Sequence, residues 1–168
     1  MAIYAISDLH LAFGAPEKNM NVFGIKWQEY EEKIKKNWLE NVKDEDVVIM
    51  SGDFSWATYI EDSKKDFDFL NSLPGKKYLL KGNHDYWWTT IKKMNDFINQ
   101  NKYENIYFLY NNAYDIGNYV LTGTRYWGYD EDTEDNEKIF NREILRAKLS
   151  LDEAKVLYPE KPIIFTTH

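Results

Sequence analysis

Three short apolar runs, Ile3 to Ser7, Val47 to Met50 and Tyr78 to Leu80, are each followed by a stretch with apolar residues at helical spacing. In the first such stretch, Trp27 to Val42, these are Trp27, Tyr30, Ile34, Trp38, Leu39 and Val42. The second runs from Tyr59 to Leu73, with Phe67 and Leu70 inward and Pro74-Gly75 as its stop. The third covers Trp87 to Asn99. This alternation of strand and helix favours α/β layering with largely parallel strands.

The pattern then changes. Strand-like segments follow one another at Ile106 to Tyr110, Ala113 to Ile116 and Tyr119 to Thr122, with Gly117-Asn118 as a tight hairpin turn between the last two. Such a meander adds antiparallel pairing. An acidic loop, Asp130 to Asp135, leads into a helical stretch over Glu137 to Leu157, read as interrupted near Ser150, where Ser150-Leu-Asp-Glu153 fits a capping box. Pro162 to Thr167 closes the chain as a strand. With no repeat or linker, the 168 residues read as one α/β domain. Their 43% apolar content is enough for a core of that size.

The polar residues fall at the carboxyl ends of the strands, where open α/β sheets bind their ligands. The first strand runs into Asp8-Leu9-His10, the second into Ser51-Gly52-Asp53, the third into Gly82-Asn83-His84-Asp85, and the last into Thr166-Thr167-His168. All three histidines of the chain, His10, His84 and His168, occupy such ends. Imidazole, carboxylate and amide oxygen suit manganese, iron or zinc, and the chain has no cysteine for a thiolate site or a disulfide. Singly, the first two motifs are weak, whereas the four consecutive residues Gly82-Asn83-His84-Asp85 are much more specific. Asp-x-His is common by chance, Gly-Asp is an ordinary turn, and Asp85 has the alternative role of capping the helix after it. The four in order, each after an apolar run, point to a metal site.

The net charge of −7 argues against long nucleic acid as a partner. It is compatible with a small phosphorylated substrate, because bound divalent metals reverse the local charge. No apolar run is long enough for a membrane span and no signal peptide is evident, so the expectation is a cytoplasmic protein with no membrane partner. The sequence leaves the oligomeric state open.

The set Asp8-x-His10, Gly52-Asp53, Gly82-Asn83-His84-Asp85 and His168 resembles the signature of the calcineurin-like metallophosphoesterases. The text around it, Ile6-Ser-Asp-Leu-His-Leu11 and Gly82-Asn-His-Asp-Tyr-Trp-Trp88, is similar to a branch of bacterial predicted phosphohydrolases. The resemblance spans Ile3 to His168 and implies a four-layer α/β/β/α sandwich with mixed sheets. It implies two divalent metal ions, manganese favoured over iron or zinc, one on Asp8, His10 and Asp53, the other on Asp53, Asn83 and His168. Asp53 would bridge them, and a hydroxide activated by both would attack the phosphorus of a phosphomonoester or phosphodiester. His84 would stand beside the metals, stabilising phosphoryl oxygens or protonating the leaving group, with Asp85 orienting its ring. The family pattern also has a later Gly-His-x-His motif, which gives one histidine to each metal. The chain stops at His168 without it, so the single catalytic domain over 1–168 is expected to be incomplete at its C-terminus, with strands missing.

On the substrate side the three arginines stand out, because arginine suits bidentate phosphate recognition. Arg125, in Gly123-Thr124-Arg125, is a candidate phosphate anchor with a surface salt bridge as its alternative. Arg142 and Arg146 share a helix face and could reach the substrate, but pairing with Glu143 or nearby acids is the favoured expectation. Trp56, Tyr86, Trp87 and Trp88 lie near the motifs and either line a pocket or pack ordinarily. Phe13 to Gly24 is a candidate active-site loop. The rival to an enzyme is a catalytically silent metallophosphoesterase-like scaffold that binds a protein.

Overall fold

The computed structural model describes residues 1–125 and 134–168. Four strands, β1 (Ile3–Ile6), β2 (Val47–Met50), β3 (Lys76–Leu79) and β4 (Ile106–Phe108), form a parallel sheet in sequence order. The register sets Ile6 against Met50, and Met50 against Leu79. All four residues of β2 are buried, as expected for an inner strand of a sheet covered on both faces. Crossovers α1 (Tyr30–Asn41), α2 (Lys64–Asn71) and α3 (Ile91–Asn101) join the strands.

Each helix has one apolar face. Tyr30 and Trp38 are buried on α1, Phe67 and Leu70 on α2, and Met94, Phe97 and Ile98 on α3. These side chains join Val48, Met50, Leu79 and Phe108 in the larger core. Alternate residues of the same strands, Val47, Ile49 and Tyr78, point the other way and meet Ile116 and Leu121 in a second core. That core packs the first sheet against a second one made of β5 (Ala113–Asp115), β6 (Val120–Gly123) and β7 (Ile163–Thr166). β5 and β6 are antiparallel, β6 and β7 parallel. Helix α4 (Glu134–Leu157) covers the outer face, its Ser150 hydroxyl donating to Gly123 O. The result is the α/β/β/α layering and mixed α/β class expected.

Several boundaries differ from the sequence reading. α4 runs without interruption through Ser150, so Ser150-x-x-Glu153 is no capping box. The hydroxyl is turned outward to the sheet and satisfies β6. The acidic loop Asp130 to Asp135 lies outside the described residues except for its last two, which open α4. α3 begins at Ile91 rather than near Trp87, with Thr90 as its cap, its hydroxyl accepting from Lys93 N. Asp85 therefore does not cap this helix. Trp87 and Trp88 belong to a turn ahead of it, buried against Phe108. The expected hairpin is present: Ile116 N bonds Tyr119 O, and Gly117 supplies a φ of 84°. Phe13 to Gly24 carries two short 3₁₀ turns, Pro16–Lys18 and Met20–Phe23, with Phe23 exposed. Among the described residues, no helix is long and apolar enough to cross a membrane.

Candidate metal centre

The sheet ladder continues past the strand ends and sets the motif loops against one another. Asp8 N donates to Gly52 O, His10 N to Asp53 O, and Leu11 N to Phe54 O, all near 3.0 Å or shorter. Asp8, His10 and Asp53 take φ values of 57°, 46° and 54°. For residues with a Cβ this left-handed region costs on the order of 1–3 kcal/mol each, and it turns their side chains out of the ladder into one space. Two glycines permit the crowding. A Cβ on Gly82 would collide with the Asp53 carboxylate and amide, and one on Gly52 would lie 2.6 Å from His168 Nδ1.

Asp53 sits at the middle and is 2% exposed. Its Oδ2 is 3.7 Å from His10 Nε2 and 2.7 Å from His84 Nδ1; its Oδ1 is 3.5 Å from His168 Nε2. Asp8 Oδ1 is 3.7 Å from His10 Nε2. His168 Nε2 lies 2.6 Å from Asn83 Oδ1. Two groups result whose donor atoms all lie within 4.8 Å of one another: His10, Asp53 and His84, and Asp8, Asp53 and His168. The structure thus brings Asp8, His10, Asp53, Asn83, His84 and His168 into a single cluster.

Its hydrogen bonding fits a bound cation. His168 Nδ1 lies 2.7 Å from Ser51 O, a carbonyl that only accepts, so Nδ1 carries the ring proton. In the Nδ1–H tautomer, Nε2 turns its lone pair toward Asn83 Oδ1 and Asp53 Oδ1. Three acceptors facing one another are satisfied only by a proton or a metal ion. Burial lowers the pKa of His10, against the opposing pull of Asp53 and Asp8, and so favours the neutral, ligating imidazole. Burial also acts to raise the Asp53 carboxyl, but the hydrogen bonds from the His84 ring and amide and the nearby His168 outweigh it, and the pKa falls.

Asp85 departs from expectation. It does not reach the His84 ring. Its carboxylate accepts from the amides of Gly82 (2.8 Å), Asp53 (2.9 Å) and Phe54 (2.9 Å), a longer 3.3 Å contact from Ser55 N, and the indole of Trp87 (2.9 Å). The reason is position: it lies beneath the loop, fully buried, where the amides of two motifs need an acceptor. Burial raises its pKa against those bonds.

Other supports carry no motif. Tyr30 OH donates to His10 O, and Trp56 stacks on the His10 ring at 4.8 Å and 20°. Buried Asp66 accepts from the Ser55 hydroxyl at 2.5 Å and from Phe13 N at 2.8 Å, tying the Phe13 loop to the Asp53 loop. A helix residue such as Asp66 has no sequence mark, whereas Trp56 was visible as an aromatic near the motif. Arg125 is half-buried at the end of β6, and Glu143 holds Arg146 at 2.7 Å and Arg142 at 3.7 Å. Burial lowers the pKa of Arg125, opposed by the attraction of Glu143, Asp53 and Asp85, which places its charge in the field of the cluster.

Carboxylate, imidazole and amide donors at the carboxyl ends of parallel strands, in a four-layer α/β/β/α sandwich, define a metallohydrolase-like centre. The chain belongs to the calcineurin-like phosphoesterase family, which it matches over residues 1–168. Family members use divalent metals to hydrolyse phosphate esters, and the activity class is therefore hydrolase. Two solved structures share the fold with a TM-score of 0.52 each. One is a protein of unknown function, AQ665 from Aquifex aeolicus, at 23% identity over 99% of this chain and 90% of that one. The other is the phosphopantetheinyl hydrolase PptH from Mycobacterium tuberculosis, at 12% identity over 99% of this chain and 67% of that one. No curated protein sequence matches the chain.

Proposed function

We propose that this chain hydrolyses a phosphomonoester or phosphodiester of a small substrate at the Asp53 cluster, with two divalent cations, manganese favoured. The observation that carries the reading is the two-sided Asp53 carboxylate. One oxygen faces His10 and His84 and the other faces His168, the disposition a bridging ligand needs. Asp8 and His10 would hold one cation with Asp53; Asn83 and His168 would hold the other. Bound there, divalent cations supply positive charge for the phosphoryl oxygens and lower the pKa of water.

The chain's own residues do the rest. His84 Nδ1 is committed to Asp53 Oδ2 at 2.7 Å, so Nε2, with only a 3.4 Å contact to Asn83 Nδ2, is the ring atom left to meet a leaving oxygen and hand it a proton. Asp85 acts as a positioning residue that holds the Asp53 and Gly82 amides. Arg125, in the field of Asp53, is the anchor for substrate anions. A cytoplasmic location accords with this chemistry.

The test is metal analysis of the purified chain followed by manganese-supplemented assays on aryl phosphate mono- and diesters. His84→Ala is expected to lower kcat by about 100-fold or more, the usual reach of general acid catalysis, with metal content unchanged. Bound metal with no turnover of either ester would overturn the enzymatic reading in favour of a protein-binding scaffold.

A further inference from the structure

A groove of about 390 Å³ opens beside His84, and Tyr59, Ile60, Tyr86, Trp87 and Trp88 contribute to its lining. Both of its sides start at that histidine. Tyr86 stands two residues beyond it, with its amide donating to His84 O at 2.9 Å, and the two rings meet edge-on at 6.3 Å and 82°. On the other side the Trp56 ring lies 4.9 Å from that of His84, and the chain then runs through Ala57 and Thr58 to Tyr59.

The lining divides by burial. Ile60, Trp87 and Trp88 are buried, and the two indoles pack on each other and on Phe108, which gives the groove a firm base. Tyr59 and Tyr86 are instead 67% and 59% exposed. Among the described residues the Tyr59 side chain has no hydrogen-bond or ring partner, and the Tyr86 ring meets only that of His84. Their backbones are nonetheless held, Tyr86 through its amide and Tyr59 through its carbonyl, which accepts from Asp62 N at 3.1 Å. Two uncovered rings on a fixed backbone supply large contact area at little cost in conformational entropy.

Charge narrows the occupant. Among the described residues lining the groove, the charged ones are Glu61 and Lys93, one of each sign. A second anionic group gains no net attraction there, whereas an uncharged ring needs none. The volume is at the low end for small-molecule pockets and suits a one- or two-ring system. His84 Nε2, the ring atom that faces the leaving oxygen, is within a few bonds of the groove's mouth.

We propose that this groove is the leaving-group subsite and that it takes an uncharged aromatic ring, stacked against Tyr59 and Tyr86, a few bonds from the ester oxygen. The substrate class is then a phosphate ester of an alcohol that carries an aromatic ring. The assignment of that ring to the leaving group rests on the phosphoesterase reading above; the ring site itself does not.

Two measurements separate them. The manganese-loaded chain is titrated by calorimetry with benzylphosphonate, cyclohexylmethylphosphonate and ethylphosphonate. Benzylphosphonate is expected to bind about tenfold more tightly than ethylphosphonate and about fivefold more tightly than its saturated analogue, as ring stacking adds to apolar contact. The double variant Tyr59→Ala, Tyr86→Ala should lose both preferences and Tyr86→Phe should keep them, each at the wild-type melting temperature because the rings are exposed. Steady-state rates with manganese then compare benzyl phosphate with ethyl phosphate, whose leaving alcohols are of similar acidity. The benzyl ester should be preferred about tenfold in kcat/KM, and the double variant should erase that preference. No phosphonate bound, equal affinity for benzyl and ethyl, or a benzyl preference that survives the double variant overturns the subsite. Equal affinity for the benzyl and cyclohexylmethyl compounds overturns the aromatic class. Selective benzylphosphonate binding with neither ester turned over upholds the ring site and counts against the phosphoesterase reading. Turnover without preference for the benzyl ester overturns the assignment to the leaving group.

Discussion

Replacing Asp85 by Asn changes one atom of a fully buried carboxylate that holds two metal-site loops together. Its Oδ1 takes the amides of Phe54 and Ser55 and the Trp87 indole, and its Oδ2 takes the amides of Asp53 and Gly82. The new NH₂ group settles at the Oδ2 position, where it meets two donors instead of three. Two charge-assisted bonds are lost at roughly 1.5–3 kcal/mol each. Relief of the buried charge, whose cost is seen in the raised pKa, returns part of that. The net expectation is a loss of about 3 kcal/mol, read as a lower urea midpoint at unchanged slope by tryptophan fluorescence. Because the Asp53 amide moves with its anchor, divalent-metal affinity by calorimetry should also fall, by about 10–100-fold. Stability within about 0.5 kcal/mol of wild type, the range of an ordinary surface change, would refute the anchoring argument. Lost turnover with stability and metal affinity intact would return Asp85 to the role of orienting His84.

Gly82→Ala drives a methyl group into the Asp53 carboxylate, and should cost about 3 kcal/mol and most of the metal affinity; retained metal binding by calorimetry would contradict the packing seen. Lys77 is buried, donates to Leu73 O, and has its pKa lowered by burial to about 8. Between pH 8 and the unfolded value of 10.5, the unfolded chain binds more protons, so stability rises with pH across that window, by on the order of 3 kcal/mol. Lys77→Met should remove that slope in urea titrations and stabilise the protein at pH 7. Manganese at a hundred times its dissociation constant should add about 2.7 kcal/mol of stability, reversed by chelator and absent in Asp53→Asn; an unchanged melting temperature would deny a metal site.

Much of the architecture was legible because short apolar runs and helical spacing are local properties. β2 is the clearest case: Val47 to Met50 is apolar throughout and is buried throughout. The motif residues were legible for a related reason, since each follows a strand and parallel strands bring their ends together. What escaped depends on meetings between distant segments. Ser150 looks like a cap in sequence, yet it serves β6 because the sheet lies within reach. Asp85 looks like a partner for its neighbour His84, but the loop turns it under the backbone toward Asp53, 32 residues away. The Asp66–Ser55 pair, the Trp56–His10 stack and the convergence of Lys81 with Arg146 carry no spacing by which a sequence would announce them.

The left-handed backbone at Asp8, His10 and Asp53 sets stability and chemistry in opposition. Glycine would suit each of these three positions better as a matter of conformation, and would delete a ligand each time. Drift toward a more robust fold therefore runs directly through loss of the centre. A search for thermostable variants would enrich substitutions that silence it, whereas selection for activity alone would hold the chain in a posture its own backbone resists.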